Sequence, residues 1–80
     1  MSRPSKRTSV LLEAIELAKK PLAHVAEGTE RAELLREAEE CARIVHLWAA
    51  EAPTGEQRDA MMQRVLRMHL TVARLCRGRR

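Results

Sequence analysis

The side chains in this chain that could bind a soft metal ion belong to two cysteines, three histidines and four methionines. Thiolate, thioether and imidazole ligands suit zinc or copper when several of them converge on one point. Their spacing is unfavourable, because His69 and Cys76 share one helical face but lie about 10 Å apart along it, at 1.5 Å per residue. The sequence therefore predicts no metal site and no cofactor. A site shared between copies of an oligomer is the alternative.

Residue patterns typical of an enzyme are absent from the sequence. There is no nucleophile on a glycine-rich turn, no phosphate loop, no HExxH motif and no pair of inward carboxylates distinct from surface glutamates. We therefore expect a non-enzyme without a small-molecule substrate. In the simplest interpretation, Cys41 and Cys76 are small core residues. The methionines fill irregular core space or a partner groove, and these are Met61, Met62 and Met68.

His69 is the histidine most in need of a partner, since it falls within an apolar stripe of the third predicted helix. We expect a neutral ring held by Glu37 or by a backbone carbonyl, as in a satisfied core histidine. A pH-sensitive interface at His69 is the alternative.

Three amphipathic helices must position these side chains. Of the residues 45% are hydrophobic, nearly all of them aliphatic, Ala or Met, and Trp48 is the single aromatic, a composition typical of helical bundles. Apolar residues recur at alternating spacings of four and three in each helix. The three series are Leu11, Ile15, Ala18, Leu22 and Val25; Leu34, Ala38, Cys41, Val45, Trp48 and Ala52; and Met61, Val65, Met68, Val72 and Leu75.

The predicted fold is all-α: a small antiparallel three-helix bundle built around a hairpin of the second and third helices. Ser9, Thr29 and Thr54 are the expected N-caps, and Pro53 ends the second helix. Charges across the hairpin predict three facing pairs, namely Glu33 with Arg74, Glu40 with Arg67 and Glu30 with Arg77. The predicted segments are a disordered basic arm (1–8), a helix kinked or divided at Pro21 (9–27), the hairpin helices (29–52 and 54–76) and a basic tail (77–80).

The apolar surface exceeds what three short helices cover, because an 80-residue chain buries only about 60% of its unfolded surface and the third helix carries a second apolar series. We therefore expect a homodimer or a helical partner protein to complete the bundle, with Trp48 as anchor. The alternative places Trp48 in the monomer's own core. The predicted partner interface is Ile44, Leu47, Trp48, Met61, Met62, Leu66 and Leu70. Such a module would serve as an adaptor, a small chaperone or a regulatory subunit.

A nucleic-acid-binding regulator is the alternative function, suggested by the calculated pI of about 9.8. Its contacts would be the basic residues of the arm and tail, namely Arg3, Lys6, Arg7, Arg77, Arg79 and Arg80. The chain has no stacking aromatics and no recognisable helix-turn-helix, so such binding would be weak, nonspecific and salt-sensitive. With two distant cysteines, no signal peptide and no long apolar run, the expected location is the cytoplasm, with no membrane association; an extracellular protein with one disulfide is the alternative.

Overall fold

Three α-helices and one short 3₁₀ helix form the part of the chain that the computed structural model describes, which is the backbone of residues 6–77 and the side chains of residues 9–77. In chain order they are α1 (Lys6–Lys19), the 3₁₀ helix (Lys20–His24), α2 (Thr29–Leu47) and α3 (Gly55–Arg77). Each α-helix packs on the other two. Short connections make successive helices antiparallel, so α1 and α3 run in the same direction. The predicted all-α three-helix bundle is confirmed.

The first helix begins earlier than expected and changes character at Pro21. It starts at Lys6, three residues before Ser9, and Lys and Arg both have good intrinsic helix propensity. At Lys20 the α-helix becomes a 3₁₀ helix, since proline cannot donate to the carbonyl four residues back. Leu22 is nevertheless buried, so both pieces share one face, as predicted. Arg31 Nε donates to the Leu22 carbonyl oxygen at 3.0 Å, which satisfies the end of the 3₁₀ helix.

One series of apolar residues from each helix makes the core, as the spacing predicted. Its twelve buried residues are Leu11, Ile15, Ala18, Leu22, Leu34, Ala38, Cys41, Val45, Met61, Val65, Met68 and Val72. Ala38 and Cys41 are fully buried and small, which allows the helices to approach closely. The predicted burial of Ala52 is wrong, because this residue is exposed beyond the end of α2.

The second helix is five residues shorter than predicted. It ends at Leu47, and the backbone amides of Trp48, Ala49 and Ala50 then bond three residues back, in tight turns. Such turns are common where a helix ends, and Pro53 keeps the residue before it out of the helical conformation. The expected N-cap Thr29 is also wrong, since Gly28 occupies that position and no side chain caps the helix.

The start of α3 follows the predicted capping box. Gln57 N donates to Thr54 Oγ1 at 3.1 Å, and Thr54 N donates to Gln57 Oε1 at 2.9 Å. These reciprocal bonds satisfy two backbone amides that would lack partners. They define where α3 begins.

Candidate interaction surfaces

The seven residues of the predicted interface have different environments. Met61 belongs to the core, with 4% of its surface exposed, so its assignment to an exposed interface is corrected. Ile44 and Trp48 are partly buried against the core. The remaining four are exposed, by 42% for Met62, 51% for Leu66, 58% for Leu47 and 63% for Leu70.

These residues lie on two separate surfaces instead of one. The first, here the end surface, consists of Ile44, Leu47 and Trp48, which line shallow grooves together with Gln57 of α3. Arg64 also borders it, so the end surface lies on the side of α3 that faces α2. Because Trp48 packs partly on the core from this side, it contributes to monomer packing as well as to the surface.

The second surface, here the α1–α3 face, contains Met62, Leu66 and Leu70. Each residue turns the helix by 100°, so these three side chains lie next to His69 around the circumference of α3, on the side away from Arg64. His69 contacts α1, because its Nε2 lies 2.7 Å from the Ala14 carbonyl oxygen. Met62 therefore lies at the outer edge of the contact between α1 and α3, and Leu66 and Leu70 continue from it around the solvent side of α3.

Helix α1 extends the α1–α3 face with two exposed apolar residues that the sequence reasoning missed. Val10 and Leu17 are 55% and 53% exposed. Both lie within about 60° of Ala14 around α1, on the side away from the core. The face consequently has five large exposed apolar side chains from two parallel helices. Its sequence signal is the seven-residue spacing from Val10 to Leu17, beside the main apolar series.

The contact of His69 with α1 fixes the tautomer of its ring. A carbonyl oxygen only accepts hydrogen bonds, so Nε2 carries the hydrogen and donates it to Ala14. The predicted backbone carbonyl is thus the partner, and Glu37 is not. The contact also fixes the level at which α1 and α3 meet.

Glu37 joins α2 to α3 through a two-pronged ion pair with Arg64. Arg64 Nε and Nη2 donate to the two carboxylate oxygens at 2.8 and 2.9 Å. The thiol of buried Cys41 lies 3.7 Å from the same carboxylate. Hydrogen bonding to Arg64 holds the pKa of Glu37 below its ordinary value. Burial, and then the negative charge of Glu37, raise the pKa of Cys41, so this cysteine stays a neutral thiol.

Replacing Glu37 should change the acid sensitivity of the fold. A lowered carboxyl pKa in the folded state stabilises the protein above the ordinary value of 4.5, and this stabilisation is lost as the pH falls through the folded-state pKa. We expect Glu37→Gln to cost about 0.5–1 kcal/mol at pH 7, since the pair is one-third exposed. The cost should shrink below about pH 4.5. Urea unfolding at several pH values, followed by circular dichroism, measures it.

Glu39→Gln is the matched control, because Glu39 is an exposed carboxylate of α2 and is in no ion pair among residues 9–77. It should change the unfolding free energy at pH 7 by less than about 0.5 kcal/mol. A cost for Glu37→Gln that stays constant from pH 7 to about pH 3 would contradict a role for its charge.

The two cysteines occupy different environments, and both are free thiols. Cys41 is a core residue as predicted, whereas Cys76 is exposed on α3, so its predicted core position is wrong. Within residues 6–77 there is no cluster of three or more His, Cys, Asp or Glu side chains able to hold a metal ion. None of the helices in this range is long and apolar enough to cross a membrane.

The predicted nucleic-acid contacts fall largely outside the described side chains. Arg3, Arg79 and Arg80 lie outside the described residues, while Lys6 and Arg7 form the first turn of α1. The remaining contact, Arg77, is the last residue of α3 and is exposed.

None of the three charge pairs predicted across the hairpin is present. Glu40 pairs with Arg43 on its own helix instead of with Arg67, and the other predicted members are in no ion pair among residues 9–77. These are Glu30, Glu33, Arg74 and Arg77. Arginines on the outer side of α3 are therefore available to a partner.

No protein family model matches this chain, and no curated protein and no solved structure is significantly similar to it. What the protein does must follow from its own surfaces.

Proposed function

We propose that the protein is a non-enzymatic helical interaction module, such as an adaptor, a small chaperone or a regulatory subunit. It offers an apolar helical face to a second copy of itself or to a helix of another protein. The observation that carries the proposal is the α1–α3 face, where five large apolar side chains from two parallel helices are exposed together. A cytoplasmic location, consistent with two free thiols, belongs to the same proposal.

The α1–α3 face has the apolar chemistry that amphipathic helices recognise. Monomeric proteins rarely expose contiguous apolar patches larger than a few hundred Å², and larger patches mark interaction sites. Leu66 and Leu70 on α3, and Val10 and Leu17 on α1, are separated by four and seven residues, the spacing at which side chains align along one side of a helix. A partner helix could lie along the seam between α1 and α3 and bury both rows.

The mass of the protein in solution tests the proposal. Sedimentation velocity from about 1 to 100 µM should show an assembly larger than the 9.1 kDa chain that dissociates on dilution. A monomer at all concentrations, without any fluorescence increase of the dye anilinonaphthalene sulfonate, would contradict it, because an accessible apolar face binds this dye.

Nucleic-acid binding remains the second candidate, and one feature of α3 favours it. Arg67, Arg74 and Arg77 are exposed and in no ion pair among residues 9–77. Together with the basic residues at both chain ends they would contact phosphates without reading sequence. Its signature would be an affinity for duplex DNA that falls steeply with salt.

A further inference from the structure

Four residues on the exposed side of helix α3 have separations that are the same when counted from either end of the helix. Along its exposed side the order is Asp59, Leu66, Leu70 and Arg77, with separations of seven, four and seven residues. Asp59 and Arg77 are 18 residues apart, which is about five turns, so they project from the same side of the helix. An antiparallel second α3 would therefore place leucine against leucine at the centre and aspartate against arginine at each end.

Helix α1 has a matching centre at the same level. Val10 and Leu17 are separated by seven residues and flank Ala14, whereas Leu66 and Leu70 flank a point next to His69. Because His69 Nε2 contacts the Ala14 carbonyl oxygen, these two centres lie side by side. One two-fold axis through this point would relate both rows of apolar side chains to themselves.

We infer that a second copy of the chain covers the α1–α3 face, in a two-fold symmetric dimer with α3 antiparallel to α3 and α1 antiparallel to α1. This inference rests on the proposed function and specifies its partner. An isologous interface requires one surface to be complementary to itself, and both rows meet that requirement about one axis. Leu66 packs on Leu70 of the second copy, and Val10 packs on Leu17 of the second copy.

Charge selects this orientation over the parallel one. Asp59 and Arg77 are exposed, and neither is in an ion pair among residues 9–77. The antiparallel arrangement forms two Asp59–Arg77 pairs, whereas parallel α3 helices would bring like charges together at both ends. On α1 the two-fold axis brings the two Glu13 residues near one another. The charges that favour the antiparallel orientation are therefore those of α3.

Charge reversal tests the arrangement. Asp59→Arg and Arg77→Asp should each raise the dimer dissociation constant roughly tenfold, because each removes two ion pairs and creates two repulsive ones. The double variant should return to within about threefold of the original value, since it restores both pairs. Both reversals oppose the dipole of α3, so damage to the helix would accumulate and not cancel. Glu39→Arg on α2 is the matched control.

A distance measurement provides a second test that does not depend on energies. A nitroxide at Glu56→Cys, in a Cys76→Ser background, labels the start of α3. The remaining cysteine, Cys41, is fully buried and does not take up the label. In the antiparallel dimer the two labelled positions are separated along the direction of the α3 helices by the length of 24 helical residues, or about 36 Å. Parallel α3 helices would bring them within roughly 10 Å. Double electron–electron resonance separates the two cases.

The outcomes distinguish this inference from the proposed function. Rescue by the double variant together with the long distance supports the dimer described. A dimer without rescue, or with the short distance, overturns the arrangement and leaves the proposed interaction function standing. A monomer at every concentration overturns the inference. Dye binding that is lost in Leu70→Glu would then leave the proposed function standing, with a helix of another protein as the partner, while no dye binding would overturn the proposed function too.

Discussion

Replacing Ile15 by alanine is expected to lower the free energy of unfolding by about 2–5 kcal/mol. Ile15 is fully buried on α1, in the core that all three helices share. A domain of this length has a total stability of only about 4–12 kcal/mol at roughly 0.05–0.15 kcal/mol per residue. The midpoint of thermal unfolding should therefore fall by at least about 8 °C. Urea unfolding followed by circular dichroism gives the free energy directly.

Two further substitutions calibrate this result. Ile15→Val removes one methylene and should cost about 0.5–1.5 kcal/mol. Leu47→Ala truncates an exposed side chain and should stay within about 0.5 kcal/mol. If Ile15→Ala cost no more than Leu47→Ala, α1 would not be docked on the hairpin in the way the structure has it.

The core was predictable because burial and helix geometry leave little choice. Residues such as Leu11, Ile15 and Ala18 recur with the period of the helix, and only one side of each helix faces the other two. The apolar series continued across Pro21 to Leu22 because a 3₁₀ turn, like an α-helical turn, keeps residues one turn apart on the same side of the helix. The capping box at Thr54 was equally local, since its partner lies three residues away.

The register of the hairpin was not predictable by the same means. The register depends on the length of the connection between α2 and α3. The residues just after Leu47 form tight turns, where the pattern indicated helix. As a result Glu37 meets Arg64, five residues before the expected His69, a shift of about 7.5 Å along α3. Helical periodicity predicts the angular position of a residue around its own helix, but it carries no information about how far a neighbouring helix is displaced along its axis.

The exposed apolar surplus was predicted in kind, although its layout was not. Met62, Leu66 and Leu70 belong to the interface predicted from the sequence and are exposed in the structure. The prediction joined them to Trp48 in one interface, whereas Trp48 packs against the core at the end surface; the pattern did not indicate which side of α3 faces α2. The contribution of Val10 and Leu17 became visible only once the His69 contact placed α1 beside that series.

The double substitution Leu66→Glu with Leu70→Glu should abolish self-association at micromolar concentration. Burying a leucine fully is worth about 1.5–3 kcal/mol, and about half of each side chain is still exposed in the monomer. Symmetry doubles the loss, and carboxylates in an apolar contact cost more than the lost burial alone. We therefore expect the dissociation constant to rise at least about 100-fold. Sedimentation velocity across a dilution series measures it, while circular dichroism checks that the fold persists.

Leu47→Glu is the matched control, since it places the same charge on the exposed part of the end surface. If the α1–α3 face is the interface, Leu47→Glu leaves the dissociation constant within about threefold of the original value. The opposite result, with Leu47→Glu dissociating the assembly and the α3 double variant intact, would move the interface to the end surface. Trp48, which packs against the core there, would then regain the anchoring role that the sequence suggested. Because both substitutions leave the twelve-residue core untouched, the comparison separates the two surfaces without unfolding the bundle.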